Sequence, residues 1–372
     1  MSDVAKVIPL HGKSFDRLRR PMGDSDPAGV RGRHPSSYAE PSNADDSAPG
    51  PSITPRLDAP TPLVVRSDAV RSDGSTSAPD GEEFGSAVDS VRRAIIDRVA
   101  GGADFLRTRL SGDYEVDEFG YDPHFADSVW LPALRPLFEK WFRVEVRGIE
   151  NVPAEGGALV VSNHAGVIPI DGLMTSVAMR DHHPQHRALR MLAADLAFET
   201  PVVGSLARRA GHTLACQPDA ERLLRGGEVV AVFPEGFKGI GKPYSERYKL
   251  QRFGRGGFVS AALRTQTPII PCSIVGSEEI YPKIGDLTTL ARVLGMPYFP
   301  VTPLFPHFGP LGLIPLPSKW YIEFGEPIET TSYEPSAADD PMELFEVTDR
   351  VRETIQQTLY RLLTRRRNVF LG

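Results

Sequence analysis

Gly157-Ala158-Leu159-Val160-Val161-Ser162-Asn163-His164-Ala165-Gly166-Val167-Ile168-Pro169-Ile170-Asp171-Gly172 is the stretch on which the fold turns. Ala158–Ser162 is a short valine-containing run of the kind that lies in a sheet buried on both faces. It passes into a polar turn carrying Asn163 and His164, after which Pro169 and Asp171 open a helix. In α/β sheets, the carboxyl end of such a strand is where reactive groups gather.

Outward from that stretch the alternation continues. Strands are expected at Arg143–Arg147, Ala158–Ser162, Ala188–Ala193, Glu228–Phe233, Pro268–Val275 and Trp320–Phe324. Helices are expected at Asp171–Arg180, Pro201–Arg209, Pro218–Arg225, Gly256–Thr265 and Pro341–Arg366. Short β-branched runs alternating with helical stretches predict an α/β fold: a mixed, largely parallel sheet covered by helices. The sheet domain spans 143–333 and the C-terminal helix occupies 334–372. No internal repeat is visible.

Residues 1–88 are rich in glycine and proline and hold three aromatics, Phe15, Tyr38 and Phe84. Such a segment buries too little apolar surface to offset its ordering entropy, so it reads as a disordered tail. Residues 89–142 read as a helical segment. Val88, Val91, Ile95, Val99, Phe105, Leu106 and Leu110 recur at helical spacing, with a break at Gly101-Gly102. Asp127–Phe142 sets Trp130, Leu131, Leu134, Phe138 and Trp141 among Arg135, Lys140 and Arg143. That aromatic, basic amphipathic face either lies in a membrane interface or packs on the main domain.

A net charge of −6 over 372 residues gives no reason to expect nucleic acid as a partner. Two cysteines, Cys216 and Cys272, make no disulfide framework and fit a reducing cytosol. Met1–Arg20 has no apolar core of signal-peptide length. Val293–Ser318 lacks Asp, Glu, Lys and Arg over 26 residues but contains seven prolines, so no transmembrane helix is expected there. Within it, Leu294–Pro315 forms either a cover for the core or, if exposed, a rigid apolar face for a membrane or an acyl chain. The arginines 361, 365, 366 and 367 either touch anionic lipid or complement a helix dipole.

His164 followed by Asp171 is a minimal general-base unit, because imidazole titrates near neutrality and an acid fixes its tautomer. The structural alternative is a hydrogen-bonded histidine and an N-capping aspartate. Downstream, Glu228–Gly236 is a second apolar strand ending in Phe233-Pro234-Glu235-Gly236. Lys238, Lys242, Arg247, Lys249, Arg252 and Arg255 follow on a glycine-rich loop with Glu246 as the acid among them. That loop suits anionic groups such as phosphates, or is simply a solvated basic loop. His182, His183 and His186 match no standard zinc spacing, so no metal site is expected. There is no Gly-x-Ser-x-Gly elbow of the serine-hydrolase type.

Asn163-His164…Asp171, Phe233-Pro234-Glu235-Gly236 and Thr267-Pro268-Ile269-Ile270-Pro271, in that order, resemble the motifs of the glycerolipid acyltransferases, with the monoacylglycerol acyltransferase-like branch nearest. The resemblance covers roughly residues 145–328. It implies transfer of a fatty acyl group from an acyl-CoA or acyl-carrier-protein thioester to a glycerolipid hydroxyl, on the cytoplasmic face of a membrane. No cofactor is implied, acyl-CoA being a co-substrate. The resemblance makes His164 the base and Asp171 its partner. It assigns substrate binding to Asn163, Gly166, Phe233, Pro234, Glu235, Gly236, Lys238, Lys242, Arg252 and Arg255. Glu235 and Gly236 fall in the acceptor site.

This chain departs from the family pattern twice. The family's usual His-x4-Asp is His-x6-Asp here, so two residues must bulge outward for the pair to meet. The family's middle block ends in a phosphate-binding arginine, whereas Gly211–Gln217 carries Cys216 and Gln217. Loss of that cation fits a neutral acceptor, a mono- or diacylglycerol. The rival readings are a thioesterase or lipid hydrolase using the same histidine, and a non-catalytic lipid-binding protein.

Overall fold

The computed structural model describes residues 105–112, 114–254 and 256–372. The expected tail and the helical spacing through Val99 lie outside the described residues, as does Arg255. Seven strands form one sheet in the order β1-β9-β6-β2-β5-β3-β4: β1 Glu145–Arg147, β2 Ala158–Ser162, β3 Leu189–Ala193, β4 Thr213–Leu214, β5 Val229–Val232, β6 Ile269–Val275 and β9 Tyr321–Phe324. β7, Gly285–Asp286, and β8, Pro300–Val301, make a separate two-stranded ribbon. All pairings in the main sheet are parallel except β6 with β9. The mixed, largely parallel sheet expected from the sequence is therefore what the chain forms. β4, β7 and β8 were not anticipated; each is a two-residue pairing too short to leave a periodic signal.

β2 lies at the centre and every one of its residues is buried. Its side chains alternate between two cores. Ala158 and Val160 face one with Met174, Val177 and Phe138. Leu159 and Val161 face the other with Leu223, Leu263 and Val351. This strict alternation puts helices on both faces of the sheet and leaves its strand ends to carry function.

On the first face, the Ile170–His182 helix packs beside a helical run from Pro123 to Trp141 in which two π turns, Ala126–Trp130 and Leu137–Trp141, alternate with α turns. The apolar face of that run is buried, with Leu131 and Phe138 in the core and Trp130, Leu134 and Leu137 packed against it. The membrane-interface reading of this segment is thus corrected: its stripe is covered by the sheet domain, and only Val129 and Trp141 among its large apolar residues are exposed.

On the second face lie the helices Gln217–Arg225, Gly257–Thr265 and Pro341–Arg365. The last is capped by Asp340, whose side chain accepts from Met342 N at 2.8 Å, and has proline at its first position. Val347, Val351, Ile355, Leu359 and Leu362 form one buried row at three- and four-residue spacing. This row belongs to the second core, so the C-terminal helix is part of the α/β unit rather than an appendage. Among its arginines, Arg366 is half-buried and paired with Glu279 at 2.6 Å, and Arg361 binds Glu323 at 2.5 Å. Those two are structural cations, not the free lipid-facing run considered from the sequence. Among the described residues, no helix is long and apolar enough to cross a membrane.

Candidate functional site

His164 leaves the carboxyl end of β2 with its side chain nearly covered, 11% exposed. Its Nδ1 lies 2.8 Å from Asp171 Oδ2. A carboxylate only accepts, so Nδ1 carries the hydrogen, and in the neutral ring Nε2 keeps a lone pair directed away from Asp171. Asp171 is fully buried. Its Oδ2 also accepts from Ala165 N at 2.9 Å and its Oδ1 from Gly172 N at 2.8 Å. Phe233 packs on the imidazole at a centroid distance of 4.6 Å.

The two extra residues between His164 and Asp171 are absorbed by backbone that turns the wrong way for an ordinary side chain. Gly166 has φ of 94° and Val167 has φ of 65°. A Cβ on Gly166 would stand 2.6 Å from Ser277 O, which requires glycine there. A β-branched residue in the left-handed region is strained and persists only where its surroundings dictate it. Here Val167 N donates to Ile240 O at 3.0 Å and Val167 O accepts from the Tyr298 hydroxyl. The bulge thus closes the pair instead of separating it.

Beneath the imidazole, Glu235 reaches up from the end of β5. Its Oε1 accepts from His164 N at 2.8 Å and its Oε2 from Gln251 N at 2.6 Å. The side chain is completely buried. Gly239 lies flush beneath this arrangement, since a Cβ there would meet His164 O at 2.6 Å and Glu235 Cβ at 2.7 Å. The expectation that Glu235 touches an acceptor is corrected: both oxygens are occupied by backbone amides, so it positions His164.

Asn163 is corrected in the same way. It is buried, donates to Ile274 O at 2.9 Å and accepts from Ile274 N at 2.8 Å, clamping β2 to β6. Nor is Lys242 available to an anion. Its ammonium is 2.8 Å from Glu278 and 3.7 Å from Glu235. Pro234 is half-buried; Gly236 and Lys238 are exposed, with open space around the Cα of Gly236. Arg252 lines a different place, a cavity of about 520 Å³ against Leu344, Phe345 and Thr348 of the C-terminal helix. The cleft that opens at Ala165, Gly166 and Val167 has room for only about 10 Å³, roughly one water.

Glu278 and Glu279 were read in the sequence only as residues that spoil a serine-hydrolase elbow. They form a buried network with Lys242, Arg366 and Tyr248, whose N–H donates to Glu278 Oε2 at 2.5 Å. The available signal was two acids following the seven buried residues of β6, at the same strand-end level as His164. Burial, outweighing the attraction of Lys242, pushes the Glu278 carboxyl up to about 7 from its ordinary 4.5. Such a group binds its proton more tightly in the fold, so its contribution is complete below pH 4.5 and is lost as pH rises through about 7. Between pH 4.5 and 8 the chain should lose up to about 3 kcal/mol of unfolding free energy through this group. Glu278→Gln should flatten that part of the profile in urea titrations at several pH values. Parallel profiles for the two proteins would assign the slope elsewhere.

In the middle block, His212 is buried and its imidazole is pushed down to about 4 by that burial, so it supplies no cation near neutral pH. Gln217 is bonded to Glu221 and Ser260, and Arg208 stacks over Phe198 at 4.6 Å.

A histidine–carboxylate pair thus stands at a strand end of this mixed sheet, above a Phe-Pro-Glu-Gly turn. The family model described as Acyltransferase matches residues 143–275. An uncharacterized protein of Mycobacterium tuberculosis is 55% identical over 369 residues, 99% of this chain and 98% of that protein. A Bos taurus protein named "DGAT1/2-independent enzyme synthesizing storage lipids" is 26% identical over 58% of this chain and 59% of its own length. The crystal structure of the 1-acyl-sn-glycerophosphate acyltransferase PlsC from Thermotoga maritima aligns with TM-score 0.44 at 19% identity, covering 65% of this chain and 83% of that one. The chain belongs to the acyltransferase family.

Proposed function

We propose that this acyltransferase moves a fatty acyl group from a CoA or carrier-protein thioester to the hydroxyl of a neutral glycerolipid, at the cytoplasmic face of a membrane. The observation that carries the reading is the 2.8 Å contact between His164 Nδ1 and Asp171, which leaves Nε2 as a base at the strand end. Nε2 takes the proton from the acceptor hydroxyl as its oxygen attacks the thioester carbonyl carbon. When the tetrahedral intermediate collapses, the C–S bond breaks and the departing thiolate takes the proton back from the imidazolium. No acyl-enzyme forms. Gly236 N is committed to Phe233 O at 3.0 Å. Gly166 N has no acceptor among the described residues, so it is the amide free to donate to the oxyanion.

The acceptor assignment rests on the middle block, where Cys216 and Gln217 stand in place of a phosphate-binding arginine and His212 is uncharged near neutrality. The storage-lipid name of the Bos taurus relative supports the same choice. Purified full-length protein should be offered acyl-CoA or acyl-carrier protein, each with monoacylglycerol, diacylglycerol or lysophosphatidate. Acylated neutral lipid is the expected product. Preference for lysophosphatidate would remove the acceptor assignment, and release of free fatty acid without acylated lipid would mark a hydrolase.

A further inference from the structure

β2, β3, β5 and β6 run parallel, so the segments that follow them all emerge at one edge of the sheet, the edge that carries His164. That edge is where much of the exposed apolar surface lies. Ile168 follows β2, Val202 and Val203 follow β3, and Phe237 follows β5; all four are exposed. After β6 comes an insertion from Ile284 to Ile314, built on the β7–β8 ribbon, in which Val293 is 77% exposed and Leu311 66%, with Leu294 and Phe308 also open. At the opposite edge, the connections at 148–157, 183–188, 226–228 and 266–268 contain no exposed large apolar residue.

Exposed apolar side chains grouped on one edge mark an interaction surface. We infer that the Ile284–Ile314 insertion is a membrane-docking element that seats the His164 edge against a bilayer. This deepens the acyl-transfer reading and rests on it for the lipid nature of the substrates. Two observations favour a lipid surface as the occupant. The neighbouring loop after β5 exposes Lys238, Arg247, Lys249 and Arg252 against Glu246, which suits anionic headgroups. Finally, the cleft beside His164 is too narrow for a fatty chain, so chains that remain in the bilayer while their head groups reach the histidine satisfy both facts. The insertion is tied to the catalytic bulge directly, through the Tyr298 hydroxyl on Val167 O.

The test is co-sedimentation of the full chain with phosphatidylcholine–phosphatidylglycerol vesicles. Wild type should bind, and Val293→Glu with Leu311→Glu should lower the partition coefficient about 100-fold, about tenfold for each apolar side chain withdrawn from lipid. Both side chains point into solvent, and the milder pair Val293→Ser and Leu311→Ser, expected to lose about tenfold, covers the case in which the glutamates disturb folding. Gln185→Glu, in the exposed connection at the opposite edge, should bind like wild type. Wild type that stays in the supernatant, or glutamate or serine pairs that bind as wild type does, would overturn the inference. The two readings fail separately: vesicle binding without turnover of any acceptor sinks the acyl-transfer reading, whereas turnover of a water-soluble short-chain acceptor without vesicle binding sinks the docking element.

Discussion

Replacing His164 with alanine should lower acyl transfer at least 10²-fold while the protein stays folded. Nε2 is the proton acceptor in the proposed step, and a positioned general base contributes 10² to 10⁴ in rate. The ring is held from one side by Asp171 and packed from another by Phe233, so its removal leaves a small space without exposing an unpaired charge to the core. Asp171 keeps two backbone donors, Ala165 N and Gly172 N. The loss should therefore appear in kcat, with thermal stability changed by about 1 kcal/mol or less. Because the pair works as a unit, adding Asp171→Asn to His164→Ala should cost little further activity, although Asp171→Asn alone should be severely impaired. Retained turnover in His164→Ala, measured with purified protein and the preferred acceptor, would refute the assignment.

The second large effect falls on Glu235, through a different route. Its carboxylate accepts from His164 N and Gln251 N and lies 3.7 Å from the Lys242 ammonium, all out of water. In Glu235→Gln the amide can preserve one of those acceptor bonds, but its NH₂ then opposes the other N–H. The buried charge of Lys242 is left with Glu278 as its single acidic partner, beside Lys249 O at 3.2 Å. Opposed donors and a weakened buried pair together should cost about 2–4 kcal/mol of unfolding free energy. Activity should fall as well, through kcat, because the backbone that aims the imidazole is released. The sequence-based expectation made this glutamate part of the acceptor site, and the two roles separate cleanly. A variant with unchanged stability and unchanged kcat but a raised acceptor KM would restore the acceptor role.

These effects show where sequence reasoning went as far as it could. The extents of β2, β5, β6 and the C-terminal helix were legible because buried apolar runs and a long amphipathic row have strong periods. His164 and Asp171 were legible as a motif, and the 2.8 Å contact supplies the geometry their roles require. Asn163, Glu235 and Lys242 were singled out by the same motifs, yet each turned out to face the protein. A motif shows that a residue type matters at a place, but whether its polar atoms face a substrate or a backbone amide depends on neighbours brought from elsewhere. For Asn163 that neighbour is Ile274, 111 residues along the chain. Gln251 and Tyr298 were missed as parts of the site because nothing local marks them.

By itself the sequence determined the layered α/β architecture, the strand end that carries the histidine, and the Cys216-Gln217 pair that ends the middle block, since periodicity and residue type are local properties. Tertiary structure alone decided three things: that a strained bulge at Gly166 and Val167 brings His164 onto Asp171, that Glu235 is enclosed beneath them, and that the apolar Ile284–Ile314 insertion emerges at the same edge. Each depends on parallel strands bringing distant segments side by side, and on buried polar atoms having to find partners wherever the fold places them.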